Sequence, residues 1–190
     1  MFSRLAISTA CLLAVTVASV AVAHSGGRQA PPMPKPGAEH GILKMDEGTW
    51  NATVEIMPGP GAPPMTSKGV EVNTIGCGGL CLVTDFKGEM MPGVTFHGHG
   101  VTTWDVTKKK YVGSWTDSMS QGLAISEGTW DPATKRSTGW MEAPDMTGKV
   151  VKMKFVSEHR PDGTRAMTSY GPGPDGKETM TMRITYTRRK

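Results

Sequence analysis

A few residues in this 190-residue sequence could do chemistry. Asp117 falls on the same face of an alternating segment as Tyr111 and Trp115, and Glu127 on the face of Leu123 and Ile125. If both pointed inward from adjacent strands, they could grip a polar ligand group, or share one proton with one carboxyl pKa raised. Paired carboxylates are also the equipment of general acid–base catalysis. The structural alternative is a network that holds a strand end. Tyr170 shares a face with Ala166, while Glu71 alternates with Val70 and Val72, so its face stays ambiguous. Trp50, Trp104, Tyr111, Trp115 and Met182 would offer an adaptable apolar lining to a pocket, or simply fill a core.

The His97-Gly98-His99 string puts two imidazoles on one strand face, about 6.6 Å apart along the chain. Two ligands do not make a metal site, and no Cys/His cluster supplies the others, so surface histidines are expected and no metal. Nucleotide-binding loops, the G-x-S-x-G elbow and H-E-x-x-H are missing, which removes hydrolase, kinase and zinc-protease readings and leaves no cofactor to expect.

Cys77 and Cys81 are the cysteines of the mature region. Four positions apart in an extended strand is roughly 13 Å, too far for a disulfide. A bridge needs a turn between them, which Gly78-Gly79 can supply. Two free buried thiols and a redox pair remain the alternatives, the last weakened because the spacing is not C-x-x-C.

The elements that must carry these side chains are strands. Residues 1–23 have the pattern of an export signal: Arg4, an apolar run over 5–20, then Ala21-Val22-Ala23 as a cleavage site. Removing 23 residues from 190 leaves 167, enough for one domain. Residues 24–40 read as a flexible Pro/Gly-rich leader, and 38–46 can form one short helix with Ile42 and Met45 on a common face. From Glu47 onward the hydrophobic period is two, in ten candidate strands separated by short turns such as Pro161-Asp162-Gly163. Two turns echo each other, Trp104-Asp105 to Lys109 and Trp130-Asp131 to Lys135. Uniformly short links predict an up-and-down antiparallel meander, and closure into a barrel removes its exposed edges. A formal net charge of +4, scattered rather than blocked, excludes a dedicated nucleic-acid binder. The chain after the signal contains no run long enough for a membrane-spanning helix.

Over about residues 43–188 the sequence resembles a bacterial family known only as domain of unknown function 1579. The strings that carry the resemblance are Gly48-Thr49-Trp50, PPMTSKG at 63–69, FKGEM at 86–90, KKYVGSWTDSMS at 109–120, GPGPDGKE at 171–178 and ITYTR at 184–188. Cys77, Cys81, His97 and His99 depart from the family pattern. The resemblance implies a lipocalin-like, calycin-type barrel with a G-x-W first strand, and it transfers no catalytic residue.

The expectation is therefore an all-β, ten-stranded, lipocalin-like barrel over residues 41–190 with one short N-terminal helix. It would be exported to the periplasm or secreted, and would bind a small apolar or amphipathic molecule in its interior. Trp50, Trp104, Tyr111, Trp115 and Met182 would supply contact area, with Asp117, Glu127 and Tyr170 fixing orientation. The rivals are an envelope interaction module with a filled barrel, and an enzyme using Asp117 and Glu127.

Overall fold

Alternation at period two makes each of the ten candidate segments a strand with one face inward. The computed structural model describes residues 32–59, 61–91, 93–145, 147–173 and 176–190. The expected signal at 1–23 and the first part of the leader lie outside the described residues. The strands are β1 (Gly48–Ile56), β2 (Met65–Gly76), β3 (Cys81–Met91), β4 (Val94–Asp105), β5 (Lys110–Asp117), β6 (Ala124–Asp131), β7 (Arg136–Pro144), β8 (Val150–His159), β9 (Arg165–Pro172) and β10 (Glu178–Arg188). Each pairs antiparallel with the next, and β10 returns to β1 through pairs such as Val54↔Ile184 and Ala52↔Tyr186. The barrel is closed, so every strand has two hydrogen-bonded neighbours.

Two ends follow from the meander. One carries the start of β1 and the ends of β2, β4, β8 and β10, and this end is covered by α1 (His40–Leu43), which packs against β3 and β4. The helix is shorter than the expected 38–46. Met45, Asp46 and Glu47 bond to carbonyls three residues back, so the chain tightens into turns instead of continuing the α-helix. Its buried residues are His40 and Leu43, while Ile42 is half-buried. The cover is pinned by Tyr111 Oη donating to Glu39 O at 2.9 Å and by Trp50 Nε1 donating to Asp46 O at 2.8 Å. Cys77 and Cys81 are joined by a disulfide with Cα atoms 5.5 Å apart, across a turn in which Cys77 and Gly78 have φ 53° and 65°.

The two echoing turns are one structure used twice. Asp105 Oδ1 accepts from Thr107 N and Lys108 N, Asp131 Oδ1 accepts from Ala133 N, and Lys109 and Lys135 take φ 52° and 53°. Asp145 and Asp162 close the turns before β8 and β9 in the same way, each accepting from a threonine hydroxyl and backbone N–H two residues on.

The core joins Trp50, Ala52, Val54, Phe86, Ile184 and Tyr186, with Phe96, Trp115, Met167 and Met182 packed against them. Several rings lie flat on the barrel wall, and glycine on neighbouring strands makes this possible. The Trp115 indole covers Gly98 and Gly100, Phe86 covers Gly69 and Gly88, and Phe155 covers Gly128 and Gly139. A Cβ on Gly100 would stand 2.9 Å from Trp115 Cε3, and one on Gly139 would stand 2.7 Å from Phe155 Cζ.

Gly98→Ala should therefore cost about 1–3 kcal/mol by overpacking against Trp115. Gly41→Ala, in α1 with open space around it, should be neutral or stabilising by up to about 1 kcal/mol. Urea denaturation of both variants measures this, and equal effects would contradict the packing. The turn aspartates give a pH dependence. Threonine hydroxyl bonds, then backbone N–H bonds, hold Asp131, Asp145 and Asp162 below the ordinary carboxylate value. Depressed folded-state values favour folding above the ordinary carboxylate range, and that contribution is lost as pH falls through them. Stability should fall as pH drops below about 4, and a triple Asp→Asn variant at these positions should show a flatter acid limb.

Candidate functional site

The end covered by α1 encloses a cavity of about 170 Å³. Its wall is drawn from β2, β3 and β4 on one side and β8, β9 and β10 on the other, and includes Asp46, Glu71, Asn73, His159, Arg165 and Tyr186. Register explains why polar side chains meet there. Trp50 opposes Glu71, Tyr186 opposes Arg165, and Arg165 opposes His159, so all five point inward from four adjacent strands and β2.

Arg165 is the centre of the cluster. Its guanidinium carbon lies 4.6 Å from the Trp50 ring centroid and 4.1 Å from that of Tyr186. Nη2 donates to Glu71 Oε1, and Nη1 lies 3.2 Å from Asp46 Oδ1. Burial opposes the charge on Arg165, but Asp46 and Glu71 outweigh it and hold its pKa above the ordinary arginine value. Burial, then the charge of Glu71, drives the Tyr186 hydroxyl well above the ordinary phenol value, so it stays protonated and bonded to Glu71. Asn73 Nδ2 donates to Glu71 Oε1 at 2.8 Å and to Asp46 O at 3.0 Å. Those two acceptors fix which way the amide faces. His159 Nε2 lies 3.2 Å from Asp46 Oδ1, and the His159 and Trp130 rings meet edge to face with centroids 5.6 Å apart.

Three buried atoms in this wall have no hydrogen-bond partner: Asn73 Oδ1, Arg165 Nε and Asp46 Oδ1. Asp46 Oδ1 is within ion-pair distance of His159 and Arg165, but no N–H is aligned on it. Buried polar atoms are nearly always bonded to protein or to ordered water, and these three lie around one cavity. Among the described residues no group of three His, Cys, Asp or Glu side chains converges as a metal site, and no helix is long and apolar enough to cross a membrane.

None of the eight residues picked out from the sequence lines this cavity. Trp50 comes nearest, buried between Arg165 and Arg188, whose guanidinium carbon is 4.4 Å from its ring centroid. Trp104 and Tyr111 pack edge to face with centroids 5.0 Å apart at the covered end. Burial raises the Tyr111 hydroxyl pKa, with Glu39 adding to it. Trp115 Nε1 donates to Asp117 Oδ2 at 3.0 Å, and Asp117 Oδ1 accepts from Met119 N, which makes Asp117 a clasp at the opposite end. Met182, paired with Ile56, belongs to the core toward that same end.

Glu127 and Tyr170 are corrections. Glu127 opposes Val112 and Trp140 on the outer wall, bonded to Lys108 and Lys110, whose hydrogen bonds lower its pKa. Tyr170 opposes Lys154 and Met180 on the outer wall, with the Lys154 ammonium 5.3 Å from its ring centroid. Asp117 and Glu127 therefore lie on opposite faces of the sheet and cannot share a proton. Sequence reading missed Asp46, Asn73, His159 and Arg165, and left Glu71 undecided. The available signal was Glu71-Val72-Asn73, two polar residues at strand period, with Val72 turned outward and 41% exposed.

The sequence profile of a family described as "Protein of unknown function (DUF1579)" matches residues 35–188, and the chain belongs to that family. No protein of curated function matches its sequence. Among solved structures it is similar to the S-type phycobiliprotein lyase CPES from Guillardia theta, with TM-score 0.55 and 12% identity over 80% of this chain and 93% of that one. This likeness concerns the fold alone.

Arg165→Met would leave Glu71 and Asp46 without their buried countercharge and should cost roughly 3–5 kcal/mol. Chemical denaturation measures it, and a loss below about 1 kcal/mol would show that the cluster does not hold this end together.

Proposed function

Taking membership of that family as the premise, we propose that the protein is an exported, lipocalin-like barrel that holds a small amphipathic molecule inside the end covered by α1. The observation that carries this reading is the cavity itself, enclosed by six strands and edged by three buried polar atoms without partners. The polar part of the ligand sits at Arg165, Asn73 and Asp46, and its apolar part lies against Leu82 and Met167, which also line the space. Similarity in fold to a phycobiliprotein lyase supports a role in handling a small molecule, without naming one. Export is supported by the signal-like pattern over 1–23 and by the disulfide, since such bonds persist in oxidising compartments.

The ligand is small. A cavity near 170 Å³ is below the roughly 300 Å³ of ordinary drug-sized sites. That small volume also favours a second reading, a filled barrel that serves as an envelope interaction module.

Native mass spectrometry of protein purified from its own host separates the two. The binding reading expects a stoichiometric non-covalent adduct in the wild type that is lost when Asn73→Leu removes the unpartnered carbonyl. Bare protein in every preparation, or an adduct that survives Asn73→Leu, would contradict it.

A further inference from the structure

We propose that this cavity selects a small alkylammonium ligand that also carries one hydrogen-bond acceptor, and that it rejects carboxylates and phosphates. The inference rests on the binding reading above and adds the ligand's charge. The atoms at the cavity without an aligned hydrogen bond are two acceptors, Asn73 Oδ1 and Asp46 Oδ1, the latter already 3.2 Å from Arg165 Nη1 and His159 Nε2, and one donor, Arg165 Nε. Asn73 is 3% exposed, its amide is already committed on the nitrogen side, and its oxygen is left at the cavity wall. A ligand that completes this set brings at least two N–H or O–H donors and one acceptor.

Formal charge decides between the ligands that satisfy that count. Of the charged side chains that line the cavity, Glu158 apart, Asp46 and Glu71 are acidic and Arg165 is basic, a formal sum of −1 with His159 neutral, while Arg188, on the other side of Trp50, is not among the lining residues. Glu158 also borders the cavity, but its carboxylate is held by Arg136 and Arg160, whose bonds lower its pKa. A carboxylate ligand would add a further negative charge beside Asp46 and Glu71 in a region of low dielectric. Arg165, the natural receptor for an anion, has little left to offer. Glu71 and Asp46 engage its Nη atoms, and Trp50 and Tyr186 cover its faces. Nε is the guanidinium nitrogen with no partner, while both Nη atoms already face carboxylates, so an anion approaching that edge meets Glu71 and Asp46 before it can form a two-pronged contact. An ammonium group, by contrast, neutralises the cluster and donates to both unpartnered oxygens, while a hydroxyl on the same ligand accepts from Nε.

The test uses three probes of nearly equal size that differ in one group: ethanolamine, ethylene glycol and glycolate. Each is titrated into the full chain while the indole N–H signals of Trp50 and Trp130 are followed by NMR. Ethanolamine is expected to bind about tenfold more tightly than ethylene glycol, with no saturable response to glycolate. Asp46→Asn, which makes the cluster neutral, should weaken ethanolamine by about tenfold and ethylene glycol by clearly less, and an equal loss for both would contradict the charge assignment. Should that variant not fold, the wild-type ranking decides by itself. Glycolate or ethylene glycol binding as tightly as ethanolamine overturns the charge assignment and leaves the binding reading standing. If no probe shifts either indole signal, both the assignment and the cavity as a binding site are overturned.

Discussion

A single buried arginine organises one end of this barrel. Arg165 comes from β9, stacks on Trp50 of β1 and Tyr186 of β10, and is neutralised by Glu71 of β2 and by Asp46 from the segment that covers the end. These contacts tie together the strands on either side of the β1–β10 closure and fasten the cover over it. A guanidinium can do this because its faces take aromatic rings while its edge takes carboxylates. Burying such a charge is costly, and only near-complete pairing makes it tolerable. The incomplete pairing of the same cluster is what gives the end a chemical character.

The rest of the interior is governed by a different constraint. In the rest of this ten-stranded barrel, several rings lie along the wall instead of projecting toward the axis. Trp115, Phe86 and Phe155 do so over pairs of glycines on adjacent strands, where any side chain would collide with the ring. Packing of this kind shapes the wall through glycine placement, while the polarity of the cavity comes from the arginine cluster, so the two have separate causes. The arginine cluster sets its charge.

Fold was legible in the sequence because it depends on features that are local. Period-two alternation, Asp-Gly and Trp-Asp turns and short links are each visible in a window of a dozen residues, and together they leave a closed meander as the economical arrangement. The site was less legible because it depends on register between strands far apart in the chain. Glu71 faces inward only because β2 pairs with β1 so that it opposes Trp50, and Arg165 reaches Glu71 across 94 positions of sequence. Tyr186 could be placed on an inward face with Met182 and Ile184, but nothing local says that an arginine covers it. Asp117 and Glu127 show the converse error. Both looked alike as acidic residues among apolar neighbours, yet a phase difference between β5 and β6 sends one into the barrel and the other to the outer wall.

Ligand occupancy of the arginine-centred cavity is the central claim, and a high-resolution crystal structure of protein purified from its own host tests it most directly. The account predicts ordered non-protein density that accepts from Arg165 Nε and donates to Asn73 Oδ1. Density for water alone at those atoms, in protein isolated without exposure to denaturant, would contradict it.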